Sequence, residues 1–331
     1  MVTNDEILKL LKTLTEIESL SKREEKLKQF VKKYLQNLGY NLVEGEYFIS
    51  TNTKSDLIIA THLDTVPIKK PFSFDGRYAY GTGVCDAKAS LTAILLSAKF
   101  GLPFTLAFFD DEEEDGLGSK EFSQIWESGK WVIVMEPTEI KVACEHSGSF
   151  ELLIEVRGKS AHGAYPQRGE NAIDKALELV NQLRTKNFNF NILKIEGGNE
   201  EYIIPERCNL KLEVFLDPHE TLKQKLEKLE FIKNYGIYKI EHAYEGYKSR
   251  EVYKILMEAL KRANLPLVTT LMPSWTDALN LKDRFDVVVF GPGELYLCHT
   301  IEERINLEDI KKTIKVLINL KEIIFSSYCF F

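Results

Sequence analysis

Apolar residues recur along this chain in two periods. Ile7, Leu10, Leu11 and Leu14 fall at helical spacing behind Thr3-Asn4-Asp5-Glu6, a capping-box sequence, and predict a helix there. Ser21-Lys22-Arg23-Glu24 reads as a second box. The helix after it would carry Phe30, Val31, Tyr34 and Leu35 on its apolar face and end at Gly39. Short continuous apolar runs predict buried strands over residues 56–60, 104–109, 131–135 and 287–290, with a shorter strand over 77–80. Helices are predicted over 91–98, around 120–127 with Ser119 as N-cap, and over 307–325, the last amphipathic.

Between these segments the character changes. Residues 150–156 alternate as a half-buried strand, Gly158-Lys159-Ser160-Ala161-His162-Gly163 is a loop, and 172–183 is an amphipathic helix. A second strand is expected near 208–216 and a second helix near 221–231. Strand-helix-strand-helix over about a hundred residues suggests an inserted α+β module.

Composition narrows the class. The 331 residues allow one large domain or two ordinary ones, and 44% hydrophobic content is enough for a core. A net charge of −7 argues against nucleic-acid and anionic-membrane partners, which need a basic face. No apolar run approaches a bilayer span, and residues 1–9 are mixed and acidic rather than signal-like, so a soluble cytoplasmic protein is expected. Cys85, Cys144, Cys208, Cys298 and Cys329 are scattered and form no C-x-x-C pair, which suits reduced thiols better than disulfides or a thiolate metal site.

The candidate chemistry collects at strand ends. The first strand runs into Thr61-His62-Leu63-Asp64, and positions two apart in extended chain face one side, so Asp64 can hold the His62 ring. A small-residue loop, Gly81-Thr82-Gly83-Val84-Cys85-Asp86-Ala87-Lys88, lacks both dinucleotide and P-loop spacing, which sets phosphate binding aside and leaves Asp86 as its one carboxylate. The next strand ends in Asp110-Asp111-Glu112-Glu113-Glu114-Asp115, the next in Glu136-Pro137-Thr138, and a later one is followed by His299. Acids and imidazoles delivered at the C-terminal ends of strands in an α/β pattern lie where such sheets place ligands. His62, Asp86, Glu113, Glu136 and His299 suit zinc or a similar divalent ion, and five of them exceed what one tetrahedral ion needs. Adjacent carboxylates at 112 and 113 let one bind metal while the other accepts a proton from water.

These motifs, in this order and ending in His299-Thr300-Ile301-Glu302-Glu303-Arg304, resemble the co-catalytic zinc aminoacylase/carboxypeptidase family that includes acetylornithine deacetylase and succinyl-diaminopimelate desuccinylase. The resemblance spans the chain. It implies an α/β zinc-peptidase-like domain with a central mixed sheet flanked by helices, formed by 1–147 and 245–331, and an α+β dimerisation lid at 148–244. It also implies two zinc ions per chain, with cobalt or manganese as alternatives, and a homodimer formed through the lid. Asp86 would bridge the ions, His62 and Glu136 would complete one shell, and Glu113 and His299 the other. Asp64 would orient His62, Glu112 would be general base and acid, and His162 would stabilise an oxyanion in the neighbouring subunit. Spacing to Gly118 favours this register, with Glu113 and Glu114 as the alternative pair.

The chain departs from the pattern where relatives bind substrate. Phe215 stands where they carry an arginine for the substrate carboxylate, and an aromatic ring cannot form that bidentate pair. Arg207 is a candidate substitute. Trp275, beside Thr276, brings bulk into a small-residue loop. The expected activity is hydrolysis of an amide bond in an N-acyl amino acid or short peptide. A dipeptidase or carboxypeptidase on the same site is the alternative, and a non-catalytic metal-binding homologue a more distant one.

Overall fold

The computed structural model describes residues 2–67 and 70–328. Cys329 lies outside the described residues. The chain divides into two units: one formed by the residues up to Glu145, by Ser249–Met272 and from Thr276 onward, the other by His146–Lys248 with Pro273–Trp275.

The first unit is built on a sheet whose strands run in the order Leu42–Glu44, Phe48–Thr51, Thr105–Phe109, Leu57–His62, Trp131–Val134, Asp286–Val289 and Val142–His146. The four strands from Thr105–Phe109 to Asp286–Val289 are parallel, and Leu57–His62 lies between two parallel neighbours. Such strands are covered on both faces, which explains apolar runs without alternation. The crossover helix Lys88–Ala98 is buried along its whole length. Helix Asn4–Glu16 begins with the expected box: Thr3 Oγ1 accepts the Glu6 N–H at 3.2 Å and the Glu6 carboxylate accepts the Thr3 N–H at 3.0 Å. Ile7, Leu10, Leu11 and Leu14 fill the core behind it.

Two expected caps are not caps. The helix Glu25–Asn37 starts behind Glu24 with no side-chain cap, because Ser21 and Glu24 bond elsewhere. The helix Leu117–Ile125 starts at Gly116, in left-handed conformation, which leaves Ser119 inside the first turn.

The second unit is a four-stranded antiparallel sheet in the order Phe190–Gly197, Arg207–Leu216, Gly148–Arg157, Gly236–Tyr244. Alternate residues of Gly148–Arg157 are buried against helix Ala172–Thr185, through Ala176, Leu179, Val180 and Leu183. Both edge strands were invisible to the period-two reading. Phe190–Gly197 carries a register shift between Ile192 and Lys194, which breaks its alternation, and it is mostly exposed. The expected second helix is shorter, Leu222–Lys228, and a 3₁₀ turn follows at Glu230–Asn234.

Candidate metal centre

Sheet register assembles the site in the first unit. His62 is the last residue of its strand and pairs with Phe109, so the acidic turn begins directly beside it. Ala60 pairs with Val134 on the other side, and Met135 N–H donates to Ala60 O at 2.7 Å. Stepping two residues along each chain brings His62 beside Glu136. Asp86 arrives from the loop before the buried helix. That loop is closed by the Glu303 carboxylate, which accepts N–H groups from Gly83 at 3.0 Å, Cys85 at 2.9 Å and Asp86 at 3.2 Å. Gly83 has φ +77°, and a Cβ there would lie 2.4 Å from Thr65 Cγ2.

The distances form two overlapping sets. His62 Nε2 is 3.1 Å from Asp86 Oδ1 and 3.7 Å from Glu136 Oε2. His299 Nε2 is 3.4 Å from Asp86 Oδ2 and 2.9 Å from Glu113 Oε1. One buried carboxylate thus presents one oxygen to each imidazole. In each set, His62/Asp86/Glu136 and Asp86/Glu113/His299, the ligand atoms lie within 4.8 Å of one another. Glu112 is buried and forms a third such group with His62 and Glu113.

Asp64 organises the surroundings. Its Oδ1 faces His62 Nδ1 at 3.2 Å and accepts the Glu112 N–H at 3.0 Å; its Oδ2 accepts the Glu113 N–H at 3.0 Å and the Ser21 hydroxyl at 2.8 Å. With Nδ1 directed at a carboxylate, Nε2 is left for a metal. Glu114 instead points outward to Lys22 Nζ at 2.7 Å. Gly118 sits where the helix backbone meets the strand end: a Cβ there would lie 2.7 Å from Asp110 N.

This packing is electrostatically unfinished as protein alone. Burial pushes the Glu112 and Glu136 carboxyls well above their ordinary range, and His62 opposes this. Burial also raises Glu113, against its bond to His299. Burial works against the charged form of Asp86 too, yet the bonds to His299 and His62 hold it well below the usual range. The bonds to Asp86 and Glu113 push His299 up to about 10. Glu136 Oε1 is buried without a hydrogen-bond partner. Clustered carboxylates and imidazoles with an orphaned oxygen are the donor set that a divalent cation satisfies, so these residues fit a metal.

The remaining expected residues are placed as follows. His162 lies in an exposed loop of the second unit, where Nδ1 accepts the Ala164 N–H at 3.1 Å. Phe215 and Arg207 share one face of the same strand, but eight positions separate them, roughly 26 Å at the usual rise. Arg207 therefore does not replace the arginine missing at 215. It is exposed at the far end, paired with Arg157. Trp275 stands edge-on to Tyr244 at 5.9 Å, in the second unit. Thr276 is buried, and its hydroxyl oxygen accepts the Ala278 N–H at 3.2 Å.

Several participants were not foreseen. Glu303 lies inside a recognised motif, but its role needs the loop it closes. Lys88 is buried, bonded to Ser19 Oγ and, at 2.6 Å, to Leu63 O, and burial lowers its ammonium to about 7. Asp277 is fully buried beside the site, and burial raises its carboxyl to about 7.

A parallel sheet that delivers imidazoles and acids from separate strand ends around one shared carboxylate defines a metal-dependent amidohydrolase or metallopeptidase. Residues 144–235 match the M20_dimer family, the peptidase dimerisation domain. Over 323 residues the chain is 28% identical to an uncharacterised metallohydrolase of Methanocaldococcus jannaschii, covering 88% of this chain and 91% of that one. It is 27% identical to a [LysW]-lysine/[LysW]-ornithine hydrolase of Sulfurisphaera tokodaii, covering 96% and 95%. Its fold superposes on a tripeptidase of Staphylococcus aureus with TM-score 0.85 at 20% identity, over 98% of this chain and 99% of that one. Along most of its length the chain is thus similar to metallohydrolases of this kind, and residues 144–235 carry the peptidase dimerisation domain.

Proposed function

We propose that this chain is a di-zinc hydrolase that cleaves an amide bond in an N-acyl amino acid or short peptide. The observation that carries the reading is the division of Asp86: Oδ1 toward His62, Oδ2 toward His299, with Glu136 and Glu113 completing the two sets. His62, Asp86 and Glu136 would hold one ion, and Asp86, Glu113 and His299 the other. Bound metal supplies Lewis-acid polarisation of the carbonyl and lowers the pKa of water toward about 7.

The rest is done by the chain's own groups. Glu112, buried beside both sets, accepts the proton of the attacking water and delivers it to the leaving amine. Asp64 fixes the His62 tautomer and, through the Glu112 and Glu113 N–H groups, the turn that carries the base. His162 accepts an N–H at Nδ1, so its neutral ring carries the proton on Nε2, the form that can donate to an oxyanion. The family's dimerisation module supports a homodimer in which that donor serves a neighbouring subunit. The deacylase and peptidase readings share this site. The Sulfurisphaera relative, named a [LysW]-lysine/[LysW]-ornithine hydrolase, supports hydrolysis of a substrate that contains an amino acid. Phe215, in place of a carboxylate-binding arginine, favours substrates lacking a free carboxylate there.

The test is zinc-loaded protein assayed against N-acetyl amino acids, dipeptides and tripeptides, beside Glu112→Gln. Loss of a general base costs about 10²–10⁴ in kcat, with both ions retained. Undiminished turnover in the variant would remove Glu112 from its role, and no bound metal would sink the hydrolase reading.

A further inference from the structure

The segment before the second helix looked like a helix cap and is not one. Ser21 spends its hydroxyl on Asp64 Oδ2 at 2.8 Å. Glu24 turns its carboxylate away from the helix, and its Oε1 accepts two backbone N–H groups, Lys22 at 2.9 Å and Asp111 at 3.0 Å. Both donors belong to non-glycine residues in left-handed conformation, Lys22 at φ 65° and Asp111 at φ 64°, where side-chain-bearing residues are uncommon. Lys22 then reaches along the same turn to Glu114 at 2.7 Å and Asp115 at 3.1 Å. Three consecutive amides of the acidic turn are therefore held by two buried carboxylates: Asp111 by Glu24, Glu112 and Glu113 by Asp64.

We propose that Ser21 and Glu24 are positioning residues that clip the 110–115 turn to Asp64 and so set the Glu112 carboxyl against the His62 imidazole. Neither side chain is among the metal-facing groups, and both act through other residues. Ser21 fixes the Asp64 carboxylate from the side opposite His62, so that one carboxylate keeps its bonds to the ring and to the turn in register. Glu24 holds the left-handed step at Asp111 that turns the chain back toward the strand end. Without that step the two residues that follow would not direct both of their N–H groups at Asp64. The inference rests on the role proposed for Glu112, but its structural half does not.

The experiment uses the full zinc-loaded chain with Ser21→Ala, Glu24→Ala and the conservative pair Ser21→Thr and Glu24→Gln, which keep the donor and the acceptor. Amide hydrogen exchange is read over residues 109–116, with kcat and KM per folded, metal-loaded molecule. The expected result for the alanine variants is exchange at least tenfold faster in that segment alone. With it, kcat falls about tenfold, KM stays within twofold and zinc stoichiometry is unchanged. The conservative variants recover most of both. Unchanged exchange in the turn overturns the clip. So does faster exchange with kcat intact, since the two residues would then stabilise the fold without positioning the base. Should Glu24→Ala not fold, Ser21→Ala decides alone. A wild-type chain inactive on every substrate would sink the hydrolase reading, and the exchange measurement would still decide whether Ser21 and Glu24 hold the turn.

Discussion

Glu112 and Glu113 are neighbours with the same side chain, and the structure gives them different surroundings. Glu113 meets His299 at 2.9 Å, while Glu112 is enclosed beside His62 and Glu136. Their protonation in the metal-free chain leads to a prediction. Glu112, Glu113 and Glu136 are raised mainly by burial, His299 is raised to about 10, and His62 is raised by Glu136 and Glu112 against the effect of its burial. At neutral pH the metal-free site therefore holds protons that the ligands must give up when zinc enters. Zinc binding should release protons, and its affinity should rise with pH across neutrality. Titration calorimetry in two buffers of different ionisation enthalpy reads this directly; equal heats in both would refute it. Sequence position gathered the candidate ligands at the strand ends and the spacing to Gly118 favoured one register, but local pattern alone does not direct one acid of the adjacent pair at His299. That choice is made by the left-handed turn at Asp111 and the two Asp64 hydrogen bonds.

At the scale of elements, local rules held where a segment answers only to itself. Thr3 and Glu6 form their box as the sequence implied. The Thr3 N–H first, then Lys99, hold the Glu6 carboxyl down at about 2. The sign follows: a depressed carboxylate contributes stability that is present above its unfolded value near 4.5 and lost as pH falls toward 2. Glu6→Gln should therefore lower the urea midpoint at pH 7, and the gap to wild type should narrow at pH 3; a gap independent of pH would contradict the assignment. Ser21-Lys22-Arg23-Glu24 has the same local signature and a different fate. Its hydroxyl and carboxylate find stronger customers in Asp64 and in the turn amides, groups distant in sequence. The edge strand Phe190–Gly197 was missed for another reason: its register shift and its exposure erase the alternation that marks a half-buried strand.

At the scale of the molecule, two predictions concern association and metal. The dimerisation module predicts a particle of twice the chain mass by light scattering, and a monomer at micromolar concentration would remove the shared-site role of His162. Metal is expected to be linked to folding, because the assembled ligand set exists only in the folded chain and an ion that binds it stabilises that state. A site held at a hundred times its Kd adds about 2.7 kcal/mol. Zinc should thus raise the unfolding temperature of chelator-treated protein by at least about 3 °C. No shift would mean the site is not a metal site.

The sequence by itself determined the buried strands, the residues at their ends and the change of character that marks a second module, because burial and strand-end delivery write themselves into local pattern. Only the tertiary structure decided how those ends meet. Register set His62 beside both Glu136 and the acidic turn, and one carboxylate came to face two imidazoles. The rest of the machinery, Ser21, Glu24 and Glu303, is recruited by hydrogen bonds between groups that sequence distance keeps apart. Such bonds depend on where the chain returns, and no local period records that.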